Sequence, residues 1–286
     1  MKFLVLGATG MAGHTIAIYL CEQGHDVTTC SRTPPFPYGN NRTGDVTDAH
    51  FLRSLLLDND VDVVINCIGV LNDACEADPA QSVLLNSYLP HAIVSLLENR
   101  QTKLIHLSTD CVFSGKSAPY YEKSIRDGET FYDRTKGLGE VNHNKHITFR
   151  NSIIGPDLKK DGIGLFNWFM QQKGPPVFGY LGAIWTGVTT LTLAKAIERA
   201  AQEDLTGLYH LVNTTSISKH DLLHLFNKHF LNNSIKILPH QLVHVNKTLI
   251  NTRNDFSFSV PSYEEMIIEM KEWVLQHKDL YPHYFQ

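Results

Sequence analysis

Three polar residues of this chain have the types and spacing for proton transfer at a carbonyl group. Tyr132 and Lys136 are four residues apart, so they share one face if residues 132–142 form a helix. An ammonium group beside a phenol favours the phenolate, so we expect a lowered phenol pKa and a general acid that works near neutral pH. Thr109, in the run Ser108-Thr109-Asp110, adds a hydroxyl that can hold a carbonyl oxygen beside the tyrosine. We predict Thr109, Tyr132 and Lys136 as catalytic residues.

A glycine-rich turn stands between the first predicted strand and the first predicted helix. Residues 7–13 have the spacing G-x-x-G-x-x-G, and they follow the apolar run Lys2–Leu6. Such glycines allow a tight turn and a close approach of backbone amides to a pyrophosphate, whose charge the helix dipole favours. The turn predicts a dinucleotide-binding site that includes Gly7, Thr9, Gly10, Met11 and Gly13.

The end of the second predicted strand bears on which dinucleotide binds. An acidic residue there would hold the ribose hydroxyls of NAD, but this strand ends in Cys30-Ser31-Arg32. Ser31 and Arg32 suit a 2′-phosphate, which favours NADPH, with NADH as the alternative. The competing interpretation makes Arg32 a solvated loop residue. Asp45 is placed to meet the adenine, or to cap the next helix, which Thr47 or Asp48 would cap equally well.

The elements that must position these residues alternate between strand and helix. Strands are predicted over Lys2–Leu6, Asp26–Cys30, Val61–Asn66, Lys103–Ser108 and His146–Arg150, and helices over Met11–Gln23, Pro79–Arg100 (bent at Pro90) and Tyr132–Asn142. This order predicts a Rossmann-type α/β fold, a doubly wound parallel sheet with a smaller, interleaved C-terminal substrate-binding domain. We assign residues 1–150 to the dinucleotide-binding domain and 151–286 to the cap, with a helix near 188–202 that returns to the first domain. Further helices are predicted from Ser218 to Phe230 and from a Ser262/Glu265 capping box to about Lys278.

Composition excludes several classes of function. The net charge of the 286-residue chain is −4 and its lysines and arginines are scattered, so we expect no nucleic-acid partner. No apolar run is long enough to span a bilayer, and glycines interrupt the one at the start. Five cysteines without a C-x-x-C indicate reduced thiols and a cytoplasmic location. The i,i+4 pairs His220/His224 and His240/His244 lack a third ligand, so we predict no metal.

Four segments together carry a family resemblance. Gly7–Gly13, Asn66-Cys67-Ile68-Gly69, the run from Ser108 to Gly115 and the run from Tyr132 to Glu140 resemble the extended short-chain dehydrogenase/reductases, and within them the dTDP-4-dehydrorhamnose reductase group. The resemblance implies hydride transfer from NADPH to the 4-keto carbon of a nucleotide-linked 6-deoxysugar, for cell-surface polysaccharide precursors. It places Cys67, Ile68 and Gly69 beside the nicotinamide, and Lys136 on the cofactor ribose. It implies substrate-site positions for Asn86, Asp110, Ile153 and Trp185, and it is compatible with a homodimer. Asn86 matches the family's helix asparagine, which often supports the lysine through water, and a helix-bending or packing role is the alternative.

Departures from the group's pattern leave the sugar open. Cys111 stands where the group usually has tyrosine, and Ile153 where it commonly has tryptophan. Phe166, Trp168 and Phe169 could line the substrate pocket, and Lys159, Lys160 and Arg253 could meet its diphosphate, although core and solvated roles are the simpler interpretations. Two other functions stay open: an NAD-dependent sugar-nucleotide epimerase or dehydratase, and a non-catalytic NADP-binding regulatory subunit.

Overall fold

The structure is a computed structural model that describes residues 1–33 and 36–285. The predicted cap range 151–286 therefore ends one residue beyond the described part. None of the helices in these two ranges has the length and apolar character needed to cross a membrane.

A parallel sheet forms the centre of the molecule. The strands of the described residues are β1 Lys2–Leu6, β2 Asp26–Ser31, β3 Asn40–Thr43, β4 Val63–Asn66, β5 Lys103–Thr109, β6 Ile147–Asn151, β7 Ile153–Ile154, β8 Val177–Trp185, β9 Val188–Thr189, β10 Gly207–His210, β11 Ile217–Ser218 and β12 Ile237–Asn246. The central sheet has the order β10-β6-β5-β4-β1-β2-β3, and all its pairings are parallel. This arrangement confirms the predicted doubly wound α/β fold.

Helices cover both faces of this sheet. They are α1 Met11–Glu22, α2 Ala49–Leu57, α3 Asp73–Ala77, α4 Pro79–Ser82, α5 Leu89–Leu96, α6 Phe131–Leu138, α7 Leu165–Met170, α8 Thr190–Gln202, α9 Lys219–Phe230 and α10 Tyr263–Gln276. The central strand β1 is apolar on both faces, as a strand inside a covered parallel sheet must be, and its residues 3–6 are fully buried. Apolar clusters on its two sides supply the core.

Two strands of the central sheet escaped prediction. Strand β3 consists of Asn40, Asn41, Arg42 and Thr43, and it has no apolar residue because it forms one edge of the sheet. Strand β10 forms the other edge and comes from residues assigned to the cap. Helix α8 also packs against an element of the first 150 residues, since its Thr190 hydroxyl lies 3.2 Å from that of Thr15 in α1. The sheet layer therefore takes in chain from beyond residue 150.

The helix predicted over Pro79–Arg100 is irregular at its centre. A π-helical segment, Val83–Tyr88, joins α4 to α5, and it ends two residues before Pro90. Such π segments shift the side-chain register and occur often at functional sites. Here the segment contains Asn86, which it turns fully into the protein interior.

The second half of the chain builds a small sheet that the sequence did not indicate. Its order is β11-β8-β12, with β12 parallel to β8 and a register shift between His240 and His244. The predicted helix starts are confirmed: Ser218 accepts the amide of Asp221, and Ser262 and Glu265 form a capping box. Helix α9 packs on β8 and α10.

Candidate functional site

A groove of about 520 Å³ runs along the carboxyl ends of β1, β2 and β4. Ligands bind at this edge in open parallel sheets. Nine of the predicted cofactor-binding residues line it: Gly7, Thr9, Gly10, Ser31, Arg32, Asp45, Cys67, Ile68 and Gly69. Met11 and Gly13 lie in the first turn of α1 below the groove, and Lys136 lies in the neighbouring catalytic cluster.

The glycine turn has the shape that a pyrophosphate needs. Gly7 has φ +79°, a region that glycine adopts without strain, and its amide donates to the Cys30 carbonyl at 2.9 Å. A Cβ on Gly13 would lie 2.1 Å from the Gly7 carbonyl oxygen, so only glycine allows this close approach of helix and turn. Among the described residues no side chain caps α1 at Gly10, which leaves the first amides of the helix for a ligand. These observations fit a dinucleotide.

The far end of the groove carries the residues predicted to meet the adenosine. The Ser31 hydroxyl donates to the Thr33 carbonyl at 2.7 Å, whereas the side chain of Arg32 is exposed. Asp45 accepts the amide and the hydroxyl of Thr47, at 2.9 and 2.8 Å, and these bonds lower its pKa, with a smaller contribution from Arg32. Asp48, and not Asp45, caps α2, and Asp45 lines the groove.

The other end of the groove is the loop after β4. The buried side chain of Asn66 accepts the amide of Ile68 at 3.1 Å, which holds the turn at residues 67–69. Burial raises the pKa of the Cys67 thiol to about 12, so this thiol stays protonated. The loop therefore presents a neutral wall where the nicotinamide is predicted.

Asn86 clamps this loop to the catalytic helix. Its side-chain oxygen accepts the Val70 amide at 2.8 Å, and its amide group donates to the Val70 carbonyl at 2.9 Å and to the Thr135 hydroxyl at 3.2 Å. Asn86 is fully buried. The structure thus gives Asn86 a structural position in place of the predicted substrate contact, because all its polar groups are already bonded inside the protein.

The predicted catalytic residues meet beside the groove. Thr109 ends β5, and its hydroxyl oxygen accepts the Cys111 amide at 3.1 Å. Tyr132 and Lys136 lie on α6, which a capping box of Thr130 and Asp133 starts one residue before Tyr132. The Thr109 hydroxyl lies close enough to the Tyr132 phenol to influence its pKa. Helix α6 contacts the end of β5, so it brings the Tyr132 and Lys136 positions to the strand end that carries Thr109.

The predicted lowering of the Tyr132 pKa is wrong for this structure. Burial raises the pKa of the phenol, the nearby Cys111 thiol adds to the rise, and the hydrogen bond with Thr109 opposes it. Burial also lowers the pKa of Lys136 to about 8, against the charge of Glu140. Lys136 Nζ donates to the Leu107 carbonyl at 2.6 Å, so its charge is directed at the sheet. Tyr132 is accordingly a protonated phenol at neutral pH.

Two lysines that the sequence did not single out approach this cluster. Asp110 is buried and accepts the Thr109 hydroxyl at 3.2 Å. Burial raises the pKa of Asp110, whereas the charges of Lys247 and Lys219 act to lower it. Lys219 begins α9, and its Nζ lies 5.3 Å from the ring centroid of Trp185. No motif marks either lysine, because both come from the second half of the chain and reach Asp110 only through the fold.

The aromatic residues considered for substrate binding divide into two groups. Trp185, Phe166 and Phe169 are almost fully buried, and Trp185 packs on Tyr263 at 5.8 Å between ring centroids. Trp185 is therefore a core residue in place of the predicted substrate contact. Trp168 is 42% exposed and, with Lys219, lines a cavity of about 650 Å³.

The remaining predicted contacts lie in different places. Ile153 is half-buried in β7, which pairs with β9 next to the core. Arg253 bonds the Thr206 and Leu208 carbonyls and the Asp255 carboxylate, so it stabilises the protein rather than meeting a diphosphate. Lys159 lines the cofactor groove, and Lys160 is exposed outside it.

Histidines do not assemble a metal site in the part of the chain that the structure describes. His220 and His224 contact each other with ring centroids 4.6 Å apart, and His220 bonds Asp221. Residues 1–33 and 36–285 contain no group of three or more His, Cys, Asp or Glu side chains arranged to hold a metal ion.

Comparison with known proteins identifies the family. The family model described as RmlD substrate binding domain matches residues 1–164. The chain belongs to the RmlD family. This membership confirms the resemblance that the glycine turn, the Ser-Thr-Asp run and the Tyr-x-x-x-Lys helix indicate.

The names of curated relatives of this RmlD-family chain include reductases and a subunit of another enzyme. A probable low-salt glycan biosynthesis reductase of Haloferax volcanii is 34% identical over 144 residues, which are 49% of this chain and 48% of that protein. The dTDP-4-dehydrorhamnose reductase of Streptomyces griseus is 32% identical over 141 residues, which are 49% of this chain and 43% of that protein. The chain thus spans about half the length or less of these reductases. The methionine adenosyltransferase 2 subunit beta of Xenopus tropicalis is 31% identical over 246 residues, 77% of this chain and 70% of that protein.

A solved structure has the same fold. The dTDP-4-dehydrorhamnose reductase of Bacillus anthracis, in complex with NADP, superposes with a TM-score of 0.79 over 94% of this chain and 98% of that one, at 20% identity. At this identity the likeness shows the fold of the RmlD-family chain.

Proposed function

We propose that this chain is an NADPH-dependent reductase that acts on the 4-keto group of a nucleotide-linked 6-deoxysugar, in the synthesis of a cell-surface polysaccharide precursor. The observation that carries the proposal is the contact of α6, which bears Tyr132 and Lys136, with the end of β5, which bears Thr109, near a glycine-lined groove. The names of the relatives support the substrate class. A cytoplasmic location and a homodimer are further predictions that go with this function.

The cofactor groove fits a nicotinamide dinucleotide, which supplies the hydride when bound. The first turn of α1 would hold its pyrophosphate, Arg32 its 2′-phosphate, and the loop at residues 67–69 would lie beside the nicotinamide. Lys136 would exchange its bond to the Leu107 carbonyl for the ribose hydroxyls.

The proton comes from Tyr132. Because burial raises the pKa of its phenol, Tyr132 holds its proton at neutral pH and can donate it to a carbonyl oxygen that becomes an alkoxide. Thr109 would hold the same oxygen, since its hydroxyl is next to the phenol. Lys136, with a pKa of about 8, can resupply the proton or stabilise the phenolate that is left.

The test is NADPH oxidation, followed by near-UV absorbance, against a panel of dTDP-, UDP- and GDP-linked 4-keto-6-deoxysugars. We expect turnover on one member, and a loss of about 10²–10⁴-fold in Tyr132→Phe with NADPH affinity retained. Tyr88→Phe, which removes a phenol hydroxyl from a side chain that is 62% exposed, is the matched control and should keep full activity. Wild-type rates in Tyr132→Phe would rule out the assignment.

A second function has a specific observation in its favour. The Xenopus relative, whose name describes a subunit, aligns with more of this chain than the Haloferax relative does. A non-catalytic, dinucleotide-binding subunit would bind NADPH, turn over no member of the sugar panel, and form a stable complex with a methionine adenosyltransferase catalytic chain. Size-exclusion chromatography of the mixture, run beside the turnover assay, separates the two functions.

A further inference from the structure

A loop from the second half of the chain borders the cofactor groove. Residues 155–164 connect β7 to α7, and Lys159 and Ile163 of this loop line the groove together with Gly10. The loop passes close to the start of α1, since a Cβ on Gly164 would lie 3.1 Å from the sulfur of Met11. Lys159 is thus brought to the groove near the start of α1 by a loop outside residues 1–150.

The loop is held in this position by hydrogen bonds at both ends. The Asp157 amide donates to the Tyr284 hydroxyl at 2.9 Å, and the Asp157 carboxylate accepts the Lys159 amide at 3.0 Å. The Asn167 side chain donates to the carbonyls of Lys160 and Gly162, at 3.0 and 2.7 Å. The backbone around Lys159 is therefore preorganised, so binding a ligand would order only the lysine side chain.

The charges around the groove leave Lys159 available for an anion. Arg32 and Lys159 are the cations among the lining residues, and Asp45 is the one acid among those that the structure describes. Lys159 is exposed, and its ammonium group has no hydrogen-bond or ion-pair partner within residues 1–33 and 36–285. Arg32 follows β2 at the adenosine end, whereas the Met11–Gly164 contact places the Lys159 loop at the start of α1.

We propose that Lys159 binds the pyrophosphate of the dinucleotide cofactor. The unpaired amides at the start of α1 are where a pyrophosphate binds, and the lysine would contact it as a point charge supplied by the second half of the chain. This inference rests on the proposed function in requiring a dinucleotide in the groove. It adds a cofactor-binding residue outside the residues 1–150 predicted to bind the dinucleotide.

The experiment compares the affinities of NADPH and NADH for the wild type and Lys159→Ala by isothermal titration calorimetry, without substrate. Because both dinucleotides carry the same pyrophosphate, we expect Lys159→Ala to weaken both by the same factor, about five- to tenfold at low ionic strength. Added salt should shrink the difference between wild type and variant. Lys159→Arg should retain most of the affinity.

Lys160→Ala is the matched control, because it removes the same charge from the same loop at a side chain outside the groove. It should leave both affinities unchanged. Equal affinities for wild type and Lys159→Ala, or equal losses in the two alanine variants, would overturn the assignment of Lys159 alone. A loss of affinity confined to NADPH would indicate that Lys159 binds the 2′-phosphate, and would also overturn its assignment to the pyrophosphate. Failure of the wild type to bind either dinucleotide would instead overturn the cofactor site itself.

Discussion

Glu140 and Arg150 form a buried ion pair directly behind the catalytic residues. Arg150 Nε lies 2.7 Å from Oε1 of Glu140 and Nη2 lies 2.6 Å from Oε2, and each side chain is 2% exposed. The same Oε1 accepts the Ser108 hydroxyl at 2.7 Å. Arg150 Nη1 lies 2.8 Å from Nε2 of His210. The pair therefore joins β5, β6, β10 and the end of α6 just where Thr109 leaves the sheet.

The first prediction concerns this pair. Glu140→Gln leaves the Arg150 guanidinium buried without its countercharge, which should lower the free energy of unfolding by about 3–5 kcal/mol. Urea unfolding followed by circular dichroism measures the change. Glu129→Gln breaks the exposed pair with Lys116 and should cost less than about 1 kcal/mol. Similar losses of unfolding free energy in the two variants would show that the buried pair stabilises the protein no more than the exposed pair does.

Features fixed by local chemistry could be predicted from the sequence. The glycine turn, the Ser218 cap and the Ser262/Glu265 capping box depend on a few neighbouring residues, and the structure has all of them. Strand β1 also has the predicted bounds, because an apolar run in a buried parallel strand has few alternatives.

Features fixed by the surroundings could not be predicted. Strand β3 is polar, and only its partner β2 makes it a strand. The pKa of Tyr132 follows from how deeply the phenol is buried, while the ammonium group of Lys136 is bonded to the Leu107 carbonyl. Trp185 lies in the core and Lys159 lines the cofactor groove, whereas the sequence suggests substrate contacts for both. Residues distant in sequence decide which side chains meet at the groove.

The second prediction tests the clamp formed by Asn86. Asn86→Ala removes bonds to both backbone groups of the half-buried Val70, and only the carbonyl keeps a partner, the Cys75 thiol, so the change should cost about 1–3 kcal/mol of unfolding free energy. Because the loop before Val70 forms one wall of the groove, NADPH affinity should fall as well. Urea unfolding and calorimetric titration measure the two effects.

Asn59→Ala is the control for this clamp. Its side chain donates one bond, to the Leu55 carbonyl at the end of α2, away from the groove. It should change stability little and NADPH affinity not at all. If Asn86→Ala bound NADPH as tightly as the wild type does, the clamp would be irrelevant to the cofactor site.

The third prediction is a loss of stability in mild acid. Burial lowers the pKa of His14, His146 and His210 from 6.5 to about 4 in each case. The unfolded chain therefore binds more protons than the folded protein below about pH 6.5, so stability is full above that pH and falls as the pH drops toward 4. The slope should approach about 1.4 kcal/mol per pH unit for each histidine.

Urea midpoints at intervals between neutral pH and pH 4.5 measure this slope. His14→Gln removes one of the three groups, so its midpoint should fall less steeply than that of the wild type, even if the variant is less stable throughout. His50→Gln, at an exposed position, should leave the slope unchanged. A stability independent of pH in this range would contradict the neutral, buried state of these histidines.

The last prediction separates the two cations of the groove. Arg32 is exposed at the end of β2, where a guanidinium can bind a 2′-phosphate through two hydrogen bonds. Arg32→Ala should weaken the binding of NADPH by about tenfold or more and leave the affinity for NADH unchanged, because NADH lacks that phosphate. Lys159→Ala should weaken both, so calorimetric titration of each variant with each dinucleotide gives two distinct patterns. Arg42→Ala, on β3 in a different cavity, controls for the loss of a nearby positive charge. Equal losses of NADPH and NADH in Arg32→Ala would contradict the 2′-phosphate role and make Arg32 a general anchor for the cofactor.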